Sequence, residues 1–347
     1  MSHLTYLEAG VVGLIQGVTE LFPVSSLGHN VLIPALVGGS WATDLNVARP
    51  ESPYLAFIVG MHVATAIALL IYFWRDWIRI IGGFFTSLAH WQGWHPRVAT
   101  RDETLAWMII LATIPVGLVG VVADKPFREI FGKPIVAGVF LIVNGVILYC
   151  GERFRPRSSI RADQEIAAQR AEALTPVHAG ARRPSGPAAP GMARQARHAS
   201  GQQAARQEEL VLAIQADERL SRMGYLQALI IGASQIFALL AGISRDGITM
   251  VTGMSRGLSR EDAARFAFLL ATPVILAAGV LELPKLTGPE GHGIHGQILL
   301  GSILSGIGAY VSVRFLMRYF QTRTLTPFAI YCFVFGLLSV IYLGFIK

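Results

Sequence analysis

QGVTELFPVSSLGH, residues 16–29, places a glutamine, a glutamate, two serines and a histidine inside a strongly apolar part of the chain. Such side chains are expensive to hold in hydrocarbon unless they face protein or a water-filled cavity. Pro23 ends the preceding helix, because proline lacks an amide hydrogen and clashes with the turn before it. The stretch therefore predicts a helix that breaks inside a membrane and presents polar groups at the break.

The composition is that of an integral membrane protein. Of the 347 residues, 53% are hydrophobic and 15% are charged, whereas soluble domains carry about a quarter charged residues. The formal charge of +7 would suit a nucleic-acid partner, but no nucleic-acid motif is present, and basic cytoplasmic loops account for it. We expect membrane lipids around the protein and no nucleic acid.

Apolar segments long enough to cross a bilayer, roughly 20 residues each, recur in both halves of the chain. Six fall at about 54–74, 104–122, 134–150, 264–283, 297–313 and 326–345. Two further apolar regions, about 4–38 and 224–258, are interrupted midway. Their halves are too short to span, so we predict re-entrant helix–loop–helix pairs whose irregular backbone is buried in protein or lines a cavity.

The two halves resemble each other, because IQGVTELF at 15–22 aligns with IGASQIFA at 231–238. The match places G-x-x-E, from Gly17 to Glu20, beside G-x-x-Q, from Gly232 to Gln235. Each stretch is followed by a break containing serine and then by three spans, and an odd number of spans inverts the second half. The predicted fold is an all-α integral membrane protein, with six transmembrane helices plus two re-entrant helix–loop–helix pairs arranged as an inverted repeat. Such repeats place a binding site near the midplane, at the tips of the broken helices.

Three units follow from this pattern. Residues 1–152 form the first membrane repeat, 153–222 a basic and largely disordered or loosely helical cytoplasmic insert, and 223–347 the second membrane repeat. Arginine-rich short loops lie on the same side as the insert, which should be cytoplasmic, with both termini outside. The insert is also a candidate contact for anionic lipid head groups.

The first break carries groups suited to catalysis. Glu20 inside a membrane segment is a candidate functional residue. One of Ser25 and Ser26 is expected to cap the next helix. On that helix His29 shares a face with both serines, and a serine beside a histidine is the minimal arrangement of an activated nucleophile.

The second break, AGISRDG at 241–247, carries groups suited to an anion. Arg245 offers a planar fork that matches phosphate, and the amides of a helix beginning near Gly247 favour negative charge. Ser244 and Thr249 add hydroxyls. A structural ion pair between Arg245 and Glu20 is compatible with phosphate binding. Together the two breaks predict a site for an anionic, phosphorylated, membrane-derived substrate.

Two motifs give a resemblance to a known family. QGVTELFPVSSLGH resembles the first signature of the undecaprenyl-diphosphate phosphatases, the bacitracin-resistance proteins of bacterial inner membranes, and AGISRDGIT resembles their second signature. Further similar stretches are FIVGMHVATAIALLIYFWRD at 57–76 and LSREDAARFAFLLATPVILAAG at 258–279. The resemblance covers roughly 4–152 and 220–346, and we expect it to leave out 153–219.

The resemblance implies hydrolysis of the polyprenyl diphosphate lipid to the monophosphate and inorganic phosphate, which recycles the carrier lipid for peptidoglycan synthesis and confers resistance to bacitracin. It also implies a divalent cation, Mg2+ or Ca2+, and a site that opens toward the periplasm of the inner membrane. The oligomeric state is open, a homodimer included. The positions that match the family's motifs are Gln16, Glu20, Ser25, Ser26, His29, Ser244, Arg245, Gly247 and Thr249.

Three positions depart from the family's usual pattern. Gln16 stands where many members have glutamate and supplies no charge, and Ala241 replaces the usual proline. Asp246 replaces a serine directly after Arg245. A carboxylate there would repel phosphate, help Glu20 to hold a cation or point away from the site.

The expected roles follow from these residues. Arg245 and the second break hold the diphosphate, and His29 acts as general acid and base, since its ordinary pKa of roughly 6.5 suits neutral pH. The nucleophile is either Ser26 or a water that His29 activates. His62 is expected to make a helix–helix hydrogen bond, and His292 and His295 to lie in a surface loop.

Two other interpretations compete with this one, and a third is excluded. A transporter or flippase of a polyprenyl phosphate lipid would have the same repeat architecture. A member of the family that Asp246 has inactivated would keep the motifs without the reaction. The acid-phosphatase-like lipid phosphatases are excluded, because their second motif has a histidine six residues after the arginine, where this chain has Val251.

Overall fold

The computed structural model describes residues 4–46, 53–89, 98–131, 133–174, 211, 214–288 and 293–346. Every regular element within these residues is helical. The first half contains α1 Tyr6–Thr19, α2 Ser26–Val37, α3 Gly39–Asp44, α4 Pro53–Tyr72, α5 Trp74–Ala89, α6 Arg101–Phe131 and α7 Pro134–Arg153. The rest contains α8 Arg157–Leu174, α9 at 214–221, α10 Tyr225–Ala233, a 3-10 helix Ser234–Leu239, α11 Arg245–Ser255, α12 Arg260–Thr287, α13 His295–Tyr319, α14 Thr326–Ile341 and a π-helical turn Tyr342–Ile346.

Six helical segments are long and apolar enough to cross a membrane. They are Tyr54–Tyr72, Arg101–Val122, Pro134–Arg153, Arg260–Glu282, His295–Tyr319 and Thr326–Ile346. They coincide with the six segments predicted from hydropathy, and the all-α membrane fold is therefore confirmed.

Both interrupted regions form pairs of short helices. In the first, α1 has 14 residues and α2 has 12, too few to cross a hydrocarbon core of about 30 Å at 1.5 Å per residue. A capping box begins α1, in which Thr5 and Glu8 satisfy each other's backbone amides. In the second region, α10 and the 3-10 helix lead to a non-helical break before α11. The depth of these pairs in a bilayer stays a prediction.

Equivalent helices of the two halves make equivalent contacts. Helix α1 packs along α13, the second span of the second repeat, and α10 packs along α6, the second span of the first repeat. A Cβ on Gly17 would lie 2.3 Å from the carbonyl oxygen of Ser305, and one on Gly232 would lie 2.0 Å from that of Ala112. The two glycines align in the sequence, so each lets its short helix approach the opposite repeat closely.

The last spans of the two repeats, α7 and α14, run antiparallel against each other. Gly138 lies against Val340, whereas Gly145 lies against Ala329 and Phe333. Both helices also contact the two breaks, so α7 and α14 can position the residues of the site.

The ends of the insert are helical and paired with the membrane repeats. In α8, Asp163 accepts a 2.6 Å hydrogen bond from Arg260. In α9, Asp217 accepts from Arg79 at 2.6 Å and from Arg265 at 2.8 Å. Of the two alternatives predicted for the insert, the loosely helical one describes α8 and α9, whose carboxylates pair with arginines of both repeats. Residues 175–210 and 212–213 lie outside the described residues.

Candidate active site

The two breaks lie against each other. The Oγ atom of Ser25 in the first break accepts a hydrogen bond from the backbone amide of Gly242 in the second, at 3.2 Å. In return, the hydroxyl of Ser244 donates to the carbonyl of Phe22 at 3.5 Å. Gly242 has φ 112°, and a Cβ there would lie 2.4 Å from the carbonyl oxygen of Ala137 in α7. Only glycine fits that position.

Glu20 is the centre of the polar groups that this contact brings together. Its Oε1 accepts a 3.0 Å hydrogen bond from Arg245 of the opposite break. Its Oε2 accepts from Gln16 at 2.8 Å and forms a short hydrogen bond with the hydroxyl of Ser26. The predicted Arg245–Glu20 ion pair is present, and it joins residues 225 positions apart.

The carboxylate of Glu20 is held by residues behind it. The amide nitrogen of Gln16 donates to Glu20, while its oxygen accepts from Asn30 at 2.6 Å. The Nε2 atom of His62 lies 3.5 Å from Oε2 of Glu20. Gln16 and Asn30 are almost fully buried, so Gln16, without a charge of its own, orients the charge of Glu20.

Ser25 holds an unusual backbone conformation directly before Ser26. It has φ 67° and ψ 97°, and no other non-glycine among the described residues has a positive φ. Such conformations cost of order 1–3 kcal/mol and cluster at functional sites. The side chain of Ser25 caps α2 by accepting from the amide of Gly28. The cap role therefore belongs to Ser25, which leaves the hydroxyl of Ser26 to Glu20.

His29 does not bond to Ser26 in this structure, which corrects the expected serine–histidine pair. Its Nδ1 atom lies 2.7 Å from the carbonyl oxygen of Ser25, and its Nε2 lies 2.7 Å from the hydroxyl of Tyr331. The ring also stacks on Phe335, with centroids 5.2 Å apart. These contacts hold the imidazole against α14, so the carboxylate of Glu20 takes the position beside the serine that we expected for His29.

The second break presents the N-terminus of α11. Ser244 caps the helix by accepting from the amide of Gly247 at 3.1 Å. Arg245 follows in the first turn with its side chain 14% exposed. Thr249 lies one turn further along, and its hydroxyl donates to the carbonyl of Arg245 at 2.7 Å. Helix α11 thus begins at Arg245, ahead of the start near Gly247 that the sequence predicted, and the hydroxyl of Thr249 bonds within its own helix.

Asp246 is fully buried beside Arg245. Its Oδ1 atom lies 3.4 Å from Nε of Arg245, yet neither carboxylate oxygen accepts a hydrogen bond, and Nε itself donates none. Buried polar atoms rarely lack a hydrogen-bond partner. Among the described residues, no group of three or more histidine, cysteine or acidic side chains could hold a metal by itself. Two carboxylates nevertheless fit Mg2+, which commonly takes one or two carboxylates together with substrate phosphates.

The accessible groups of the site are those that would meet a substrate. Ser26 is half-buried, and the side chains of Arg245 and His62 are 14% and 30% exposed. Behind them, Gln16, Ser25 and Asn30 are buried. A hydroxyl bonded to a carboxylate, next to a guanidinium and a helix N-terminus, is suited to attack on a phosphoryl group.

Comparison with known proteins identifies the family of this chain. The chain matches the profile of the bacitracin resistance protein family BacA over residues 9–196 and 199–338. The chain belongs to this family. The BacA match runs through most of the insert, so our expectation that the resemblance leaves out 153–219 is wrong.

The chain is also similar to several undecaprenyl-diphosphatases. An undecaprenyl-diphosphatase of Mycolicibacterium paratuberculosis is 54% identical over 343 residues, which cover 99% of each chain. Undecaprenyl-diphosphatase 2 of Frankia alni is 53% identical over 98% of each chain. Undecaprenyl-diphosphatase 2 of Burkholderia lata is 38% identical over 94% of this chain and 92% of its own.

The sequence of this BacA member did not predict every residue of the site. His62 reaches Glu20 instead of serving only as a helix–helix bond, and a histidine within a span is a signal that deserved more weight. Asn30 supports Gln16, and Tyr331 holds His29 from 302 positions away. An asparagine in an apolar helix was the available signal for Asn30, whereas nothing local marks Tyr331. His295 begins α13, and His292 lies outside the described residues.

Proposed function

We propose that this chain hydrolyses undecaprenyl diphosphate to undecaprenyl phosphate and inorganic phosphate. The reaction recycles the carrier lipid of peptidoglycan synthesis and confers resistance to bacitracin. Membership of the BacA family and relatives named undecaprenyl-diphosphatase support it. The structural observation that carries it is the carboxylate of Glu20, which contacts both the hydroxyl of Ser26 and the guanidinium of Arg245.

Binding of the diphosphate falls to the second break. Arg245 is the first residue of α11, and both its guanidinium and a helix N-terminus attract phosphate oxygens. Phosphoryl transfer depends chiefly on positioning and on neutralising charge. Arg245 is expected to leave Glu20 in part when the more highly charged diphosphate arrives.

Chemistry falls to the first break. The oxygen of Ser26 attacks the terminal phosphorus, its proton passes to Glu20, and the bond from that phosphorus to the bridging oxygen breaks to release undecaprenyl phosphate. A water then attacks the phosphorus of the phosphoserine and the bond from that phosphorus to the serine oxygen breaks. The serine oxygen takes back the proton held by Glu20, and inorganic phosphate leaves with the protons of the water. In the alternative route a water attacks directly and Ser26 only orients it. The contact between Ser26 and Glu20 favours the first route.

A divalent cation, Mg2+ or Ca2+, fits the carboxylates of this site. Glu20 and Asp246 are the residues that would hold it, and it would neutralise charge on the phosphate oxygens. The two oxygens of Asp246 that accept no hydrogen bond support this assignment. Asp246, which departs from the family's usual serine, then acts as a ligand and not as a defect.

The location of the site in the cell follows from the proposed orientation. We infer that the protein lies in the bacterial cytoplasmic membrane and that the breaks open toward the periplasm. The arginines and acids of α8 and α9 then lie on the cytoplasmic side, in keeping with the positive-inside rule. Contacts with anionic lipid head groups and a homodimer stay predictions.

Phosphate release from undecaprenyl diphosphate by the purified protein in detergent tests the function. The wild type should release phosphate, and Arg245→Ala should not. Arg256→Ala is the matched control, since Arg256 is exposed at the other end of α11 and should keep normal turnover. Near-normal turnover by Arg245→Ala would show that the site is assigned wrongly.

The same assay separates an enzyme from a carrier. Inverted repeats with broken helices are also a transporter architecture, and this observation makes a lipid flippase the second candidate. Detergent micelles have no two sides, so a pure carrier would release no phosphate in them.

A further inference from the structure

Asn144 lies near the middle of α7 and is fully buried. The helix is one of the six candidate spans. A side-chain amide in such a segment is unfavourable unless all of its hydrogen-bonding groups find partners. The contacts of Asn144 therefore indicate what it is for.

Each polar atom of Asn144 has a partner, and two of the partners are the breaks. Nδ2 donates to the carbonyl of Pro23 at 3.0 Å and to Sγ of Cys332 at 3.3 Å. Oδ1 accepts from the backbone amide of Ser244 at 3.0 Å. A backbone carbonyl only accepts and a backbone amide only donates, so these partners determine which end of the amide is which.

The two partners lie where the site is built. Pro23 stands between Glu20 and Ser26, and Ser244 directly precedes Arg245. Both bonds go to main-chain atoms, so they position the whole turn of each break. The bonds of Ser25 to Gly242 and of Ser244 to Phe22 join the breaks to each other, whereas Asn144 ties both to a third element.

We propose that Asn144 is a positioning residue that sets how the two breaks lie against each other, and with them the contact between Arg245 and Glu20. The proposal rests on the function proposed above for that contact. Asn144 touches neither Glu20 nor Ser26 and acts through the backbone. Without its amide, a buried carbonyl of the first break and a buried amide of the second lose their partner in α7, and both turns shift to find others.

The first test is Asn144→Leu, which keeps the approximate shape and removes all three hydrogen bonds. We expect kcat of phosphate release to fall by about 10- to 100-fold, as for a small misplacement of catalytic groups, with a smaller change in KM. Ser339→Ala is the matched control, because Ser339 is also buried in this helix pair but bonds to the carbonyl of Phe335 in its own helix. It should keep kcat within about twofold, since surrounding structure is unchanged.

The second test is Asn144→Asp, whose effect should depend on pH. A protonated carboxyl can donate to Pro23 and accept from Ser244, whereas an ionised one faces the carbonyl of Pro23 with no hydrogen to donate. The ratio of variant to wild-type kcat should therefore fall as pH rises. Thermal unfolding recorded at each pH ensures that the comparison is made where both proteins are fully folded, so lost stability alone leaves the ratio unchanged.

Hydrogen exchange separates this proposal from the proposed function. Amides at 241–247 should exchange faster in Asn144→Leu than in the wild type or in Ser339→Ala, whether or not the protein is active. Wild-type kcat and unaltered exchange in Asn144→Leu would overturn the positioning role. If that variant does not fold, a ratio for Asn144→Asp that is independent of pH overturns it instead. If Asn144→Leu exchanges faster but the wild-type protein releases no phosphate, the positioning role of Asn144 is supported and the proposed phosphatase function is contradicted.

Discussion

The first break and the second break follow short helices that pack in the same way, through Gly17 on α13 and through Gly232 on α6. Their chemistry differs at the aligned positions that follow. The first repeat has Glu20, which bonds to Arg245 and Ser26, whereas the second has Gln235, whose Nε2 donates to the carbonyl of Gly232 in the preceding helix α10. The repeated sequence therefore gives both breaks the same helix packing, and single residues such as Glu20 and Gln235 give them different chemistry.

The largest effect is expected at this aligned pair. Glu20→Gln keeps the shape but removes the base beside Ser26, so kcat of phosphate release should fall by about 10²- to 10⁴-fold. The counterpart Gln235→Ala should keep kcat within about threefold, since it loses one long hydrogen bond. Equal losses in both variants would show that the two breaks share the chemistry evenly.

Arg245→Lys tests the division from the other side. Lysine keeps the charge but cannot form two parallel hydrogen bonds to phosphate, so kcat/KM should fall by about 10- to 100-fold, in keeping with the loss of one charged hydrogen bond. Arg256→Lys on the same helix should change little. Unchanged kcat/KM in Arg245→Lys would mean that the second break binds phosphate through positive charge alone and not through the paired hydrogen bonds of arginine.

Asp246→Asn tests whether the second break also holds a cation. A chelator should abolish phosphate release by the wild type, and added Mg2+ or Ca2+ should restore it. The variant keeps one oxygen ligand but loses the charge, so half-maximal activity should need roughly tenfold more cation, as for loss of about 1.4 kcal/mol of binding. The same cation dependence in variant and wild type would remove Asp246 from the ligands.

Tyr331→Phe is expected to have the smallest effect. It removes the hydroxyl that bonds to His29, which costs about 1 kcal/mol of stability, and kcat should change by no more than about threefold. Comparing the loss of kcat in Tyr331→Phe with the loss in Ser26→Ala tests whether His29 takes part in the reaction. A loss as large as that of Ser26→Ala would place His29 and Tyr331 in the chemistry of the first break.

The spans and the polar breaks could be predicted because their signals are local. Hydropathy identifies each span within its own residues, and polar residues stand out in an apolar segment. The contacts of the breaks could be predicted only in outline. The expected Arg245–Glu20 pair follows from opposite charges in two breaks that the repeat brings together, and it is present.

What the sequence could not indicate depends on partners distant in the chain. The face of α2 that carries His29 allowed a bond to Ser26, and only the position of α14 explains why Tyr331 takes that histidine instead. Likewise, the helical ends of the insert depend on Arg79, Arg260 and Arg265 in the membrane repeats. Composition alone shows a charged segment without showing that its charges are paired.

The most direct test of one site shared by two breaks is a double-mutant cycle on kcat/KM for phosphate release. It uses Glu20→Gln, Arg245→Lys and the double variant in detergent. Residues that act as a unit are strongly non-additive. The double variant should therefore lose about as much as the worse single variant. A loss equal to the product of the two single losses would contradict a shared site, because it would show that Glu20 and Arg245 act independently.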